Sequence, residues 1–217
     1  IEDMLVFCKL HEGKPIMMSF PIGNGDLKKV FEVIKAYFEE NNLPFKMYLV
    51  QDAMFELIES WYPGEYEIKY SIGEADYLYL RETLENLAGK KLHGKRNHIN
   101  RFLENYPDYE YEVINEKNYF ECIQLSEDWE KQNNPDNEDD KNYEIEALTY
   151  ALKNRDALGL KGALIRVNGK VVAFTLGEPL TKDTFVIHFE KAYSDIQGAY
   201  PMINREFVRR ELGEYTY

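Results

Sequence analysis

Alternating apolar runs, Ala163 to Val167 and Val171 to Leu176, flank Asn168-Gly169, and that arrangement predicts a two-residue β-hairpin. A third run, Thr184 to Ala192, predicts the next strand, with Phe185, Ile187 and Phe189 on one face and Val186, His188 and Glu190 on the other. The segment Ser194 to Tyr200 then turns into a helix pattern at Met202, Ile203, Phe207 and Val208, with Pro201 suited to its first turn. A strand therefore delivers polar side chains beside a helix N-terminus.

The earlier chain repeats part of this pattern. Leu5 to Leu10 and Pro15 to Phe20 surround His11-Glu12-Gly13-Lys14 as a second hairpin, and Asp26 caps a helix reaching about Glu40 with Leu27, Val30, Phe31, Ile34 and Phe38 on one stripe. Each hairpin precedes a glycine-containing turn and a helix, which points to an internal duplication whose first copy lacks the third strand. Phe45 to Val50, Tyr66 to Tyr70, Asp76 to Leu80 and Tyr109 to Ile114 are predicted strands. Asp52 to Trp61, Arg81 to Leu87, Lys117 to Lys131 and Tyr143 to Leu152 are predicted helices. The chain opens without a start-like residue and stops as a new strand begins, so both ends are expected to be cut.

Composition narrows the class. A chain of 217 residues, 44% hydrophobic and 14% aromatic, can fill a sizeable core, and no apolar run reaches membrane-spanning length. Cys8 and Cys122 sit in apolar patterns far apart, which suits buried thiols in a reducing compartment, and a cytoplasmic location is expected. A formal charge of −13 repels nucleic acid on average, so DNA is not an expected partner and any polyanion must be captured locally.

One segment inverts that sign. From Asn86 to Leu103 there is no acid, while Lys90, Lys91, Lys95, Arg96 and Arg101 are basic. At helical spacing Leu92, Ile99, Phe102 and Leu103 form a stripe on which Arg96 falls, with Asn100 one turn later, while Lys91, Lys95 and His98 point outward. A desolvated arginine needs a partner, so Arg96 pairs with an interior carboxylate, for which Glu190 is the first candidate, or faces a cleft, or snorkels from a solvated basic face. The acids Asp136, Glu138, Asp139 and Asp140 within Gln132 to Lys141 lack the glycine and terminal glutamate of a calcium loop, so a solvated loop and no metal are expected.

Two helices, a hairpin, a third strand and a helix begun by a glycine turn resemble the GNAT acyltransferase fold, in which a helix N-terminus holds a pyrophosphate. The loop Gln197-Gly198-Ala199 is a short match to that fold's glycine motif. With Lys90 to Phe102, His188-Phe189-Glu190-Lys191-Ala192 and Ile203-Asn204-Arg205-Glu206-Phe207, the chain resembles a bacterial family similar to the C-terminal catalytic domain of phosphatidylglycerol lysyltransferase. The resemblance spans nearly the whole chain. It implies an α/β (α+β) protein of two fused GNAT-like halves, with mixed, mostly antiparallel sheets flanked by helices. The halves are drawn as 1–115, including a basic linking helix at 90–105, and 116–217. The chain departs from the family in having no membrane portion, cut ends, an acidic balance and no basic segment near its C-terminus.

The resemblance further implies transfer of an acyl or aminoacyl group from acyl-CoA or aminoacyl-tRNA, used as co-substrate with no tightly bound cofactor, to an amine or hydroxyl. Glu190 and His188, roughly 7 Å apart as i and i+2 on one strand face, offer acid and base groups; the competing reading is a buried hydrogen-bonded pair. Gln197, Gly198, Ala199 and Tyr200 are the candidate donor phosphate site. Lys95, Arg96, Asn97, Asn100, Arg101, Lys191, Asn204 and Arg205 are candidate substrate contacts. The acidic exterior favours a small-molecule or peptide amine as acceptor, with tRNA as a further partner. The alternative is a non-catalytic binding module for a small amine, peptide or tRNA end.

Overall fold

The computed structural model describes residues 1–133 and 143–217, which form two compact units, Ile1–Ala75 and Asp76–Tyr217. Segment 76–115, including the basic helix, belongs to the second unit, so the compact units do not divide at 115. The four acids Asp136 to Asp140 considered as metal ligands lie outside the described residues.

The first unit contains strands β1 (Met4–Leu5), β2 (Cys8–His11), β3 (Lys14–Ser19), β4 (Ile22–Gly23) and β5 (Met47–Tyr48), with helices α1 (Leu27–Glu40) and α2 (Asp52–Trp61). Glu12 and Gly13, both at positive φ, close the β2–β3 hairpin. Strand β5 adds parallel to β3, and β1 pairs with β4. The Asp26 carboxylate accepts from the Lys29 amide and starts α1, whose Val30, Phe31, Ile34 and Phe38 are buried. Phe31 packs against the rings of Phe45, Trp61, Tyr62 and Tyr66.

Three sequence expectations fail here or at the unit boundary. The strand at Phe45 to Val50 shrinks to Met47–Tyr48, and 66–70 and 76–80 form no strand. Tyr66 is held by ring packing rather than by a ladder. Tyr77 and Leu78 are both exposed, so the alternation at 76–80 buries no face. Cys8 is exposed where a buried thiol was expected, because β2 presents all four of its residues outward; Cys122 is buried, and both thiols are free.

The second unit runs α3 (Arg81–Asn86), α4 (His93–Asn105), β6 (Glu110–Val113), α5 (Tyr119–Asn133), α6 (Tyr143–Lys153), α7 (Arg155–Leu158), β7 (Lys161–Val167), β8 (Lys170–Pro179), β9 (Phe185–Ala192) and α8 (Ala199–Glu211). Its four strands form one antiparallel sheet in the order β6-β7-β8-β9. Asn168 and Gly169 both take positive φ and make the predicted tight turn between β7 and β8. Helix α8 covers one sheet face, where Phe185 meets Phe207, and α3 and α4 pack on α8. Helix α5, backed by α6, covers the other, where Lys191 meets Trp129. Such double cover explains why β8 is buried continuously from Val171 to Gly177. Arg166 on β7 ties β6 to α5 by ion pairs of 2.8 Å to both Glu112 and Glu121. The segment after α8 is not a strand, although Phe185 donates to the Tyr217 carbonyl at 3.0 Å.

One irregularity reorganises the candidate site. The register passes from Leu176↔Phe189 to Gly177↔Ile187, leaving His188 as an extra residue on β9. Face alternation inverts across this bulge, so Phe185 and Glu190 both meet α8.

Candidate active site

Glu190 lies in the sheet between Thr175, its register partner on β8, and Asn204 on α8. The Asn204 Nδ2 donates to both carboxylate oxygens, at 3.3 and 3.2 Å. Thr175 is fully buried, and its hydroxyl has no hydrogen bond within ordinary limits among the described residues, yet it is close enough to favour the Glu190 carboxylate. Burial dominates: desolvation pushes the Glu190 carboxyl up to about 7, against the opposing pull of Asn204, Thr175 and the Lys95 ammonium. A carboxyl poised there can exchange a proton near neutral pH. The Tyr200 hydroxyl donates to the Glu190 main-chain carbonyl at 2.9 Å, fixing the first turn of α8 to the strand that carries the acid.

His188 does not join this group. Its Nε2 is 2.8 Å from the Glu178 carboxylate, and Glu178, three residues from Thr175 on β8, lies on the other sheet face. The expected shared face for His188 and Glu190 is overturned by the bulge, which even spacing in the sequence does not reveal. Lys191 likewise faces α5 and α6: its ammonium sits 2.9 Å from Glu144 and 3.9 Å from the Trp129 ring centre, so it is not beside Glu190.

Of the basic helix, Lys95 alone carries a resolved electrostatic link to Glu190. Among the described residues Arg96 pairs with neither Glu190 nor another carboxylate; it donates to the carbonyl oxygens of Leu87 and, at 2.9 Å, Gly89. Helix α3 ends at Leu87 with positive φ, and Arg96 satisfies carbonyls that this ending leaves without helical partners. Asn97 contacts the His93 ring at 3.3 Å, and Asn100 and Arg101 are exposed on α4. Arg205 pairs with its neighbour Glu206 at 3.1 Å.

The glycine loop packs against the basic helix α4. Gly198 has φ of +87°, and a Cβ there would overlap the His98 carbonyl oxygen and come within 3.0 Å of Phe102 Cβ. Its role is to let the start of α8 close on α4. The Ala199 amide donates to Ile196, the Met202 amide donates to the Gly198 carbonyl, and Pro201 has no N–H. Gln197 and Tyr200 are exposed and Ala199 is buried. Of the three amides expected to converge over Gly198 to Tyr200, that of Ala199 is therefore engaged by Ile196.

Two residues escaped the sequence reading. Thr175 is the lone polar residue in an apolar strand run, a legible signal of something polar opposite it. Glu206 falls at helical spacing among Met202, Ile203 and Phe207 and is buried with them, so an acid on an apolar stripe was the sign.

The model of the family described as phosphatidylglycerol lysyltransferase, C-terminal, matches residues 1–217. The chain belongs to this family. Among solved structures, a conserved protein of unknown function from Bacteroides thetaiotaomicron is 42% identical, with a TM-score of 0.84 over 100% of this chain and 73% of that one. The C-terminal domain of a protein assigned as a lysylphosphatidylglycerol synthetase, from Agrobacterium fabrum, shares the fold at 16% identity and a TM-score of 0.59, over 99% of this chain and 69% of that one. A search of curated proteins finds no match. Among the described residues no helix is long and apolar enough to cross a membrane.

Proposed function

We propose that this chain transfers an aminoacyl group from an aminoacyl-tRNA to an amine or hydroxyl acceptor, with Glu190 as the general base. The observation that carries the reading is a carboxyl held near a pKa of about 7 by burial, on a strand beside a helix, in a family described by lysyl transfer. As the acceptor attacks the aminoacyl ester carbonyl, its proton passes to Glu190. The new N–C or O–C bond forms, the ester C–O bond breaks, and the proton returns to the departing ribose hydroxyl. Asn204, on both carboxylate oxygens, favours the ionised form of Glu190 against the opposing and larger effect of desolvation.

An acyl-CoA donor is the second choice. The GNAT-like order hairpin, third strand, helix in the second unit supports it, and a fused pair of such halves remains part of the proposal. The start of α8, where its pyrophosphate would sit, packs closely on α4, and the Ala199 amide there is already engaged by Ile196. The acidic balance of the chain favours a soluble amine or peptide acceptor over an anionic lipid surface. Incubation with lysyl-tRNA or acetyl-CoA and a panel of amines, glycerol and phosphatidylglycerol vesicles tests the reading. Product from lysyl-tRNA, lost in Glu190→Gln, is expected. Turnover undiminished in Glu190→Gln overturns the assignment, and donor binding without product leaves a binding module.

A further inference from the structure

Away from Glu190, the end of α4, Tyr109 after it and the C-terminal half of α8 line an open cavity of about 460 Å³ formed by Leu103, Tyr109, Arg205, Glu206, Arg209 and Arg210. Glu206 is buried, and three guanidinium groups converge on it: Arg205 at 3.1 Å, Arg209 at 3.4 Å and Arg210 at 3.0 Å. One carboxylate among three guanidiniums leaves the lining with two uncompensated positive charges, inside a chain of net charge −13. Arg209 and Arg210 are half-exposed, whereas Glu206 is not, so the positive groups form the mouth and the acid the floor. The Arg210 guanidinium lies 4.6 Å from the Tyr111 ring centre, which limits its swing. The nearby acid Glu211 accepts a 3.2 Å hydrogen bond from the Tyr111 hydroxyl and is not part of the lining.

We propose that this cavity binds a phosphate monoester, with Arg209 and Arg210 as the gripping residues, Glu206 as the residue that anchors them side by side, and Leu103 and Tyr109 as the wall for the organic part. A phosphate monoester carries about −1.5 to −2 charges at neutral pH, which matches the uncompensated pair, and the guanidinium fork suits its oxygens. The volume falls within the range of small-ligand pockets of roughly 300–1,000 Å³ and leaves room beyond the phosphate itself. The site is separate from Glu190. Asn204, which serves that acid, and Arg205 are consecutive on α8 and so point about 100° apart. The inference therefore does not depend on the transfer reading.

Isothermal calorimetry with AMP and with inorganic phosphate, on the whole chain at low ionic strength, tests it. Saturable AMP binding that weakens with salt is expected, and Arg209→Gln should weaken it by about tenfold to a hundredfold, the loss of one charge-assisted contact. The pair Arg209→Gln with Arg210→Gln should abolish it while the circular dichroism spectrum stays that of the parent. AMP binding tighter than phosphate assigns the site to an organic phosphate ester, and equal affinities assign it to the free ion. No saturable binding of either probe, or affinity unchanged in Arg209→Gln, overturns the proposal.

Discussion

The side-chain amide of Asn204 reaches both oxygens of Glu190, at 3.3 and 3.2 Å, and so joins α8 to β9 at an acid whose titration burial moves to about 7. The hydrogen bonds favour the charged form and desolvation disfavours it, and the second effect is the larger.

Glu190→Gln separates catalysis from stability. Activity should fall by about 10²- to 10⁴-fold, the usual worth of a positioned base. The folded carboxyl binds its proton up to about 7, against an ordinary value of 4.5, so the native state holds more protons than the unfolded chain between those values. Stability contributed by this group is therefore present at low pH and lost as pH rises through that window. At alkaline pH the Gln variant should be more stable than the parent by up to ~3 kcal/mol, and urea melts at acid and alkaline pH check this. A variant less stable than the parent at alkaline pH would contradict the buried charge.

Asn204→Ala removes the main support of the carboxylate form. The Glu190 carboxyl should titrate still higher, and the rising limb of the pH–rate profile should move to more alkaline pH while the maximal rate is largely kept. Lys95→Met should move it the same way but less, because an exposed ammonium is screened by salt. An unmoved limb in Asn204→Ala would show that the titrating group is another residue.

Gly198→Ala is expected to destabilise the protein by about 2–4 kcal/mol, from strain at positive φ together with overlap against His98. Thermal unfolding measures it. A variant that folds as well as the parent but loses donor binding would instead place a ligand at this turn.

Arg96→Ala leaves the carbonyl oxygens of Leu87 and Gly89 without their donor, so stability should fall by roughly 1–3 kcal/mol. Ligand affinity of the folded fraction should not change. Weaker binding at undiminished stability would return Arg96 to the ligand site.

The sequence by itself determined the elements that neighbouring residues specify. Asn168-Gly169 and Glu12-Gly13 made hairpins because positive φ at both turn positions matches strand twist, and Asp26 started α1 because its side chain reaches an amide three residues on. The family, too, was legible, since its segments survive as contiguous strings. Glu190 was identifiable as an acid on an apolar strand, whereas its partner was expected to be Arg96 and proved to be Asn204. What only the tertiary structure decided depends on partners distant in the chain. The bulge at His188 arises from pairing with β8 and sends His188 and Glu190 to different faces. Arg96 took main-chain carbonyls because α3 ended beside it, and Gly198 met a helix backbone a hundred positions upstream. Periodicity fixes which way a side chain points within its own element. Burial, register and the supply of hydrogen-bond partners are set only when elements meet, and these give Glu190 its proton affinity.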